Sequence, residues 1–324
     1  MAEISKYMNV AIGNIAKIFG ISKDNIATVD GSDVPPAGGG GARGVFGGGY
    51  SSTNIIDYIT ISTPGNAADF GDLTLARYGL SATSNGATDR GIFSGRNTDN
   101  RIDYITISSV GNANDFGDMT VARWYGGMTS NNTNDRGVFG GGNTGSFVNI
   151  IDYVTISTTG NATNFGDLLL GVQYVSGTSN GTSNRGIFAY GHDGSNHNVI
   201  EYITISTPSN ATDFGDMTVA RRGFGATSNL TGNRGVFCGG NGGGNTIDYI
   251  TISTPGNATD FGDLTTTTTY ACTATSNGTD NRGVRTGGSS NNIIDYITIS
   301  TLGNASDFGD LTTGRADLGA TSNA

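Results

Sequence analysis

The chain's only two histidines, His192 and His197, share one short loop, Y-G-H-D-G-S-N-H-N. Two ligands on a flexible loop hold a metal weakly at best, so both are read as solvated loop residues and no metal site is expected. A G-x-S-x-G string runs from Gly177 to Gly181. A nucleophile elbow needs a strand-to-helix turn and a histidine partner, and no helical pattern follows this serine. The block D-F-G-D places two carboxylates three apart, as in Asp69 with Asp72 and Asp307 with Asp310, and recurs along the chain. A catalytic acid pair needs one special environment that pushes its two pKa values apart, whereas repeated copies imply equivalent surroundings. These acids are therefore expected to accept hydrogen bonds in turns or to pair with the repeated arginines, with calcium binding as the alternative. Cys238 and Cys272 stand where other copies carry small or apolar residues, which reads as two buried free thiols. The N-x-T sequons at Asn161 and Asn257 read as turn asparagines. No enzymatic activity and no cofactor are expected.

The elements that carry these residues repeat. Arg-Gly followed by Val or Ile occurs at Arg43, Arg90, Arg136, Arg185, Arg234 and Arg282, a spacing of 46 to 49 residues. I-D-Y-I-T-I-S or a close variant follows each, then D-F-G-D, then T-S-N ending at Asn85, Asn131, Asn180, Asn229, Asn277 and Asn323. The I-D-Y-I-T-I-S block is β-branched and aromatic with apolar residues on both faces, as in a strand sandwiched between neighbouring sheets. V-F-G-G-G is an apolar strand ended by glycines, and P-G-N-A and T-S-N-G are turn chemistry. Four short strands per unit of this length are the signature of a propeller blade. The end repeats resemble the middle ones, which argues for closure into a ring rather than an open solenoid.

Hydrophobic-Phe-Gly-Gly, an acidic residue before Tyr, a later aromatic, and an Arg-led segment into an Asn-Gly turn together resemble the kelch repeat, over residues 43 to 324. The resemblance implies an all-β, six-bladed kelch-like β-propeller in which the T-S-N strand is innermost and the Gly-Gly strand second. The chain's last strand, residues 314 to 323, then closes the first blade. Departures stand at Arg285, which replaces Phe, and at Val172 and Thr268, which replace Arg. Copper-radical oxidases on kelch-type propellers need converging His, Tyr and Cys ligands, and sialidase-type propellers carry repeated Trp boxes. The single tryptophan, Trp124, excludes the latter.

The formal net charge of −10 and pI of about 4.5 exclude nucleic acid as a partner. No apolar run reaches membrane-spanning length, and no charged-then-apolar leader opens the chain, so neither membrane insertion nor secretion by a signal peptide is expected. All three lysines fall in the first 42 residues. Residues 1–34 carry a rough helical stripe of Tyr7, Val10, Ala11, Ile15 and Ile18, and N-I-A-x-hydrophobic-x-Gly occurs there twice, the second copy with Ile26. Residues 35–42, P-P-A-G-G-G-G-A, are linker chemistry, leaving 43–324 for the propeller. So short a segment cannot bury its own apolar face and is expected to be a partly helical tether that binds a partner or forms a homo-oligomer, the alternative being that it packs against the propeller's own face. The twin N-I-A opening ahead of a Gly-rich repeat domain resembles virion structural proteins of tailed bacteriophages. That resemblance implies docking on other virion proteins through Tyr7, Val10, Ile15, Ile18 and Ile26, and a place on the particle surface.

Among the repeats, the turns at T-S-N and G-N-A are uniform, while the segments after Gly-Gly and those entering the innermost strand differ. Loops on a rigid ring carry recognition, and aromatic residues and arginine are its usual anchors. Tyr78, Trp124, Tyr125, Tyr174, Tyr190, His192 and Arg222 are thus the expected ligand-binding residues, for a host-surface glycan or protein. The expected function is a fibre or adhesin-type virion protein. The alternatives are a head, neck or tail decoration protein without a receptor, and a cellular kelch-type protein-interaction module.

Overall fold

The computed structural model describes residues 28–29, 32–33 and 43–323, apart from 51–52, 87–88, 97, 132–133, 180–183, 230–232, 270, 278–280 and 289–290. Two compact units divide the chain, Met1–Gly40 and Gly41–Ala324. In the first, Thr28–Val29 pairs antiparallel with Ser32–Asp33. The docking stripe of Tyr7, Val10, Ile15, Ile18 and Ile26 and the linker at 35–42 lie outside the described residues.

The second unit is a six-bladed β-propeller. Each blade is a four-stranded antiparallel sheet. In the first blade the order is Gly319–Ser322, Arg43–Gly47, Ile55–Thr60 and Ala68–Asp72, so the chain's last strand closes the blade that its second unit begins. The other five, such as Ser81–Ser84, Arg90–Ser94, Arg101–Thr106 and Asn114–Asp118, are continuous in sequence. Consecutive side chains of the second strand feed opposite interfaces. Val45 packs with Phe93 and Ile105 of the next blade, while Phe46 packs with Val284 and Ile294 of the last. Both are fully buried, which is why this strand has no polar face.

Closure rests on rings of repeated bonds. The hydroxyls of Ser84, Ser130, Ser179, Ser228, Ser276 and Ser322 each donate to the carbonyl of the equivalent serine one blade back: Ser84 to Ser322, Ser130 to Ser84, and so on round to Ser322 to Ser276. Only six inner strands around a common axis can make this cycle, and it covers carbonyls on the free edge of each sheet. Farther out, Arg43, Arg90, Arg136, Arg185, Arg234 and Arg282 each donate to a carbonyl of the next blade at 2.8 to 3.0 Å. Each guanidinium lies 4.4 to 4.6 Å above the tyrosine of its own I-D-Y block. Ser179, the serine of the G-x-S-x-G string, belongs to the inner ring.

D-F-G-D is a β-bulge. Between Ile56 and Asp57 the pairing advances two residues on the outer strand, from Gly71 to Asp69, and Phe70 is left over. The same shift recurs in all six blades. Released from the ladder, Phe70 is buried and meets Tyr58 edge-on at 6.0 Å. Gly71 takes φ +141°, and a Cβ there would sit 2.5 Å from the Gly111 carbonyl oxygen of the next blade, so only glycine fits.

Among the described residues no D-F-G-D carboxylate forms an ion pair with an arginine. Arg77, Arg123, Arg221 and Arg315 bind the buried acid of I-D-Y-I, respectively Asp103, Asp152, Asp248 and Asp57, at 2.5 to 3.1 Å. A carboxylate in so dry a place needs a partner, because desolvation otherwise outweighs its charge. The departures from the repeat are explained by this need. Where Thr268 replaces the arginine, Arg285 replaces phenylalanine and pairs with Asp295 at 3.1 Å. Where Val172 replaces it, the acid becomes Glu201 and the hydroxyl of buried Tyr190 donates to it.

Candidate functional site

The two variable sets of segments meet on one face. Gly49 N–H donates to Arg77 O at 3.0 Å and Tyr50 N–H to Ala316 O at 2.7 Å. Isolated bridges pair Trp124 with Asn143, Gln173 with His192 and Arg222 with Asn241. Each bridge ties a loop after the second strand to a connection entering an innermost strand.

On this face runs a chain of rings. Tyr50 meets Tyr78 at 5.8 Å, Tyr78 meets Trp124 at 5.2 Å, Trp124 meets Tyr125 at 4.9 Å, and Tyr125 stacks on Tyr174 at 4.2 Å with a tilt of 32°. His192 stands edge-on to Tyr174 at 6.4 Å, and the Arg222 guanidinium lies 6.0 Å over the same ring. Six of the seven residues expected from the sequence are thus brought into one continuous cluster.

Tyr190 is the exception and, contrary to expectation, is no ligand-binding residue of this face. It is fully buried, engaged with Glu201, and its hydroxyl pKa is raised by desolvation and by that bond. It packs between blades as the substitute for a missing arginine. His197 leaves the face chemistry too, its Nε2 lying 2.8 Å from the Asp193 carboxylate. Burial and then the nearby Arg222 lower the pKa of His192. Among the described residues no group of three or more His, Cys, Asp or Glu lies close enough to hold a metal ion. Cys238 and Cys272 are both free and buried, and burial pushes the Cys238 thiol up to about 12.

At the centre of the face a cavity of about 550 Å³ is lined by Tyr50, Tyr125, Tyr174, Arg222, Asn241 and Asp317. Tyr125, Tyr174 and Asp317 also line the axial channel beneath it. The backbone at these three residues is unusual. Tyr125, Tyr174 and Asp317 have φ of +56°, +58° and +58°, while the equivalent positions in two other blades are Gly79 at +68° and Gly223 at +64°. Left-handed backbone suits glycine, and each side chain held in it costs about 1 to 2 kcal/mol of backbone strain. That cost is local, and what it gains is two phenol rings and a carboxylate aimed into the mouth.

Asp317 is 8% exposed, and its carboxyl is raised to about 6, mainly by desolvation and against the Tyr125 hydroxyl, which donates to it at 3.3 Å. Desolvation also raises both phenols, Tyr125 and Tyr174. Tyr50 and Asp317 are the site residues that reading the sequence missed. Asp317 left a usable signal, because R-A-D-L stands where R-Y-G-L and R-R-G-F stand in other copies. No protein-family model and no curated protein matches the sequence.

Proposed function

We propose that the chain is a non-enzymatic recognition protein of a tailed-phage virion, a kelch-like propeller that binds a host-surface saccharide at the mouth of its axial channel. One observation carries this reading: three residues held in left-handed backbone, where two other blades place glycine, put Tyr125, Tyr174 and Asp317 around a single cavity. Strain of this kind persists where the side chain itself is needed. The volume, about 550 Å³, is that of a small-molecule site, and stacked phenols with one buried acid suit the apolar faces and polar edges of a sugar ring. The virion assignment is supported by the twin N-I-A opening of the sequence.

The test is retention of the intact protein on host cells, alongside the variants Tyr125→Ala and Tyr174→Ala, with binding to virions measured for the full chain and for a form lacking residues 1–42. Retention by the full chain, lost in both tyrosine variants while virion binding persists, is the expected result. Cell binding indifferent to both substitutions would reduce the propeller to decoration.

A further inference from the structure

Six buried acids of the I-D-Y-I strands each have a partner: Asp57, Asp103, Asp152, Asp248 and Asp295 an arginine, and Glu201 the Tyr190 hydroxyl. Asp317 is almost as deeply buried, yet among the described residues it makes no ion pair and meets only the neutral Tyr125 hydroxyl. It occupies a backbone position that glycine fills in two other blades, so neither chain geometry nor packing requires an acid there. A desolvated carboxylate without a counter-charge is costly, and a bound cation removes that cost. The walls beside it are the rings of Tyr125 and Tyr174, whose π-faces attract a positive charge.

We infer that the mouth binds the ammonium group of a small organic ligand, an amino sugar in the proposed setting, with the ammonium against Asp317 and the carbon skeleton on the tyrosine rings. This rests on the mouth being the binding face and adds the chemical class of its ligand. Arg222 lines the same cavity but is held over the Tyr174 ring and makes no ion pair with Asp317. Its charge opposes a cation, so an ammonium ligand has to be held by Asp317 in spite of it.

The groups around the cavity that face Asp317 are Tyr50, Tyr125, Tyr174 and Arg222. Burial pushes the Asp317 carboxyl up to about 6, so ammonium binding weakens as the pH falls through that value. Between about pH 7 and about pH 5 the ionised fraction, and with it the affinity, drops about tenfold.

The experiment titrates the intact protein with glucosamine, glucose and glucuronate, read by calorimetry and by fluorescence of Trp124, whose ring lies 4.9 Å from Tyr125. Glucosamine is expected to bind about tenfold more tightly than glucose, the worth of one charge-assisted bond. Asp317→Asn removes that preference and Arg222→Gln keeps or sharpens it. Equal binding of the two sugars, a preference that survives Asp317→Asn, preference for glucuronate lost in Arg222→Gln, or no binding of any of the three overturns the inference. Host-cell retention separates the two levels. Equal binding of glucose and glucosamine that vanishes in Tyr125→Ala leaves the binding face standing without the ammonium, whereas glucosamine preference with no cell retention leaves the ammonium site and removes the host-surface reading.

Discussion

Asp317→Asn is the perturbation whose consequence follows most directly from the structure. The carboxyl is raised from its ordinary 3.8 to about 6 by burial at 8% exposure. A folded-state value above the unfolded one means that folding favours the protonated acid. Stability is therefore full below 3.8, declines as the pH rises, and is fully reduced above 6. The gap, at about 1.4 kcal/mol per pH unit, amounts to about 3 kcal/mol above pH 6. Asparagine keeps the shape and the tolerance for left-handed backbone but carries no charge. The variant is expected to be more stable than wild type by up to about 3 kcal/mol near pH 7.5 and to match it near pH 3.5. Urea unfolding followed by Trp124 fluorescence at a series of pH values measures the difference. A difference independent of pH, or a variant less stable than wild type at neutral pH, would refute the claim that the mouth holds an unneutralised buried acid. A site that gains stability on losing its functional side chain is the expected trade between stability and binding.

Arg285→Phe restores the residue found in the other five blades but strands Asp295 without its cation, and is expected to cost about 3 to 5 kcal/mol. Adding Thr268→Arg rebuilds the pairing used in four blades and is expected to recover much of that loss, as read by melting temperature. Gly71→Ala forces a Cβ to 2.5 Å from the Gly111 carbonyl oxygen at φ +141°, with an expected loss of about 1 to 3 kcal/mol in thermal unfolding. At Tyr125, with φ +56°, Tyr125→Gly is expected to be about 1 kcal/mol more stable than Tyr125→Ala, although both remove the ring. The reverse order in denaturant melts would remove the strain on which the site was recognised.

The propeller was legible because its signals are local and repeated. V-F-G-G and I-D-Y-I-T-I announce strands apolar on both faces, and the T-S-N end of the chain matches the inner strand that the first blade lacks. The D-F-G-D block was read as a turn acid pair, and it is a bulge that frees Phe70 and needs Gly71 at a blade contact. Bulges are set by pairing between strands, which spacing along one strand does not reveal. Arg285, Val172 and Thr268 look like independent departures along the sequence, yet each belongs to a change in how a buried acid, Asp295 or Glu201, finds its partner across the strands. Tyr190 misled because an aromatic in a variable loop looks exposed, and the deciding fact, its bond to Glu201, is tertiary. The face itself was legible from unequal loops among otherwise equal copies. Asp317 is hard to see in the sequence because aromatics and arginines are the usual recognition anchors, while the informative contrast is an acid in a glycine's place.

The most direct test of the account is binding of the intact protein to a host envelope preparation, with wild type compared against Asp317→Asn, a substitution expected to leave the fold at least as stable. The account predicts that wild type is retained and that retention of the more stable variant falls about tenfold. Undiminished retention of Asp317→Asn, with its fold intact, would contradict it.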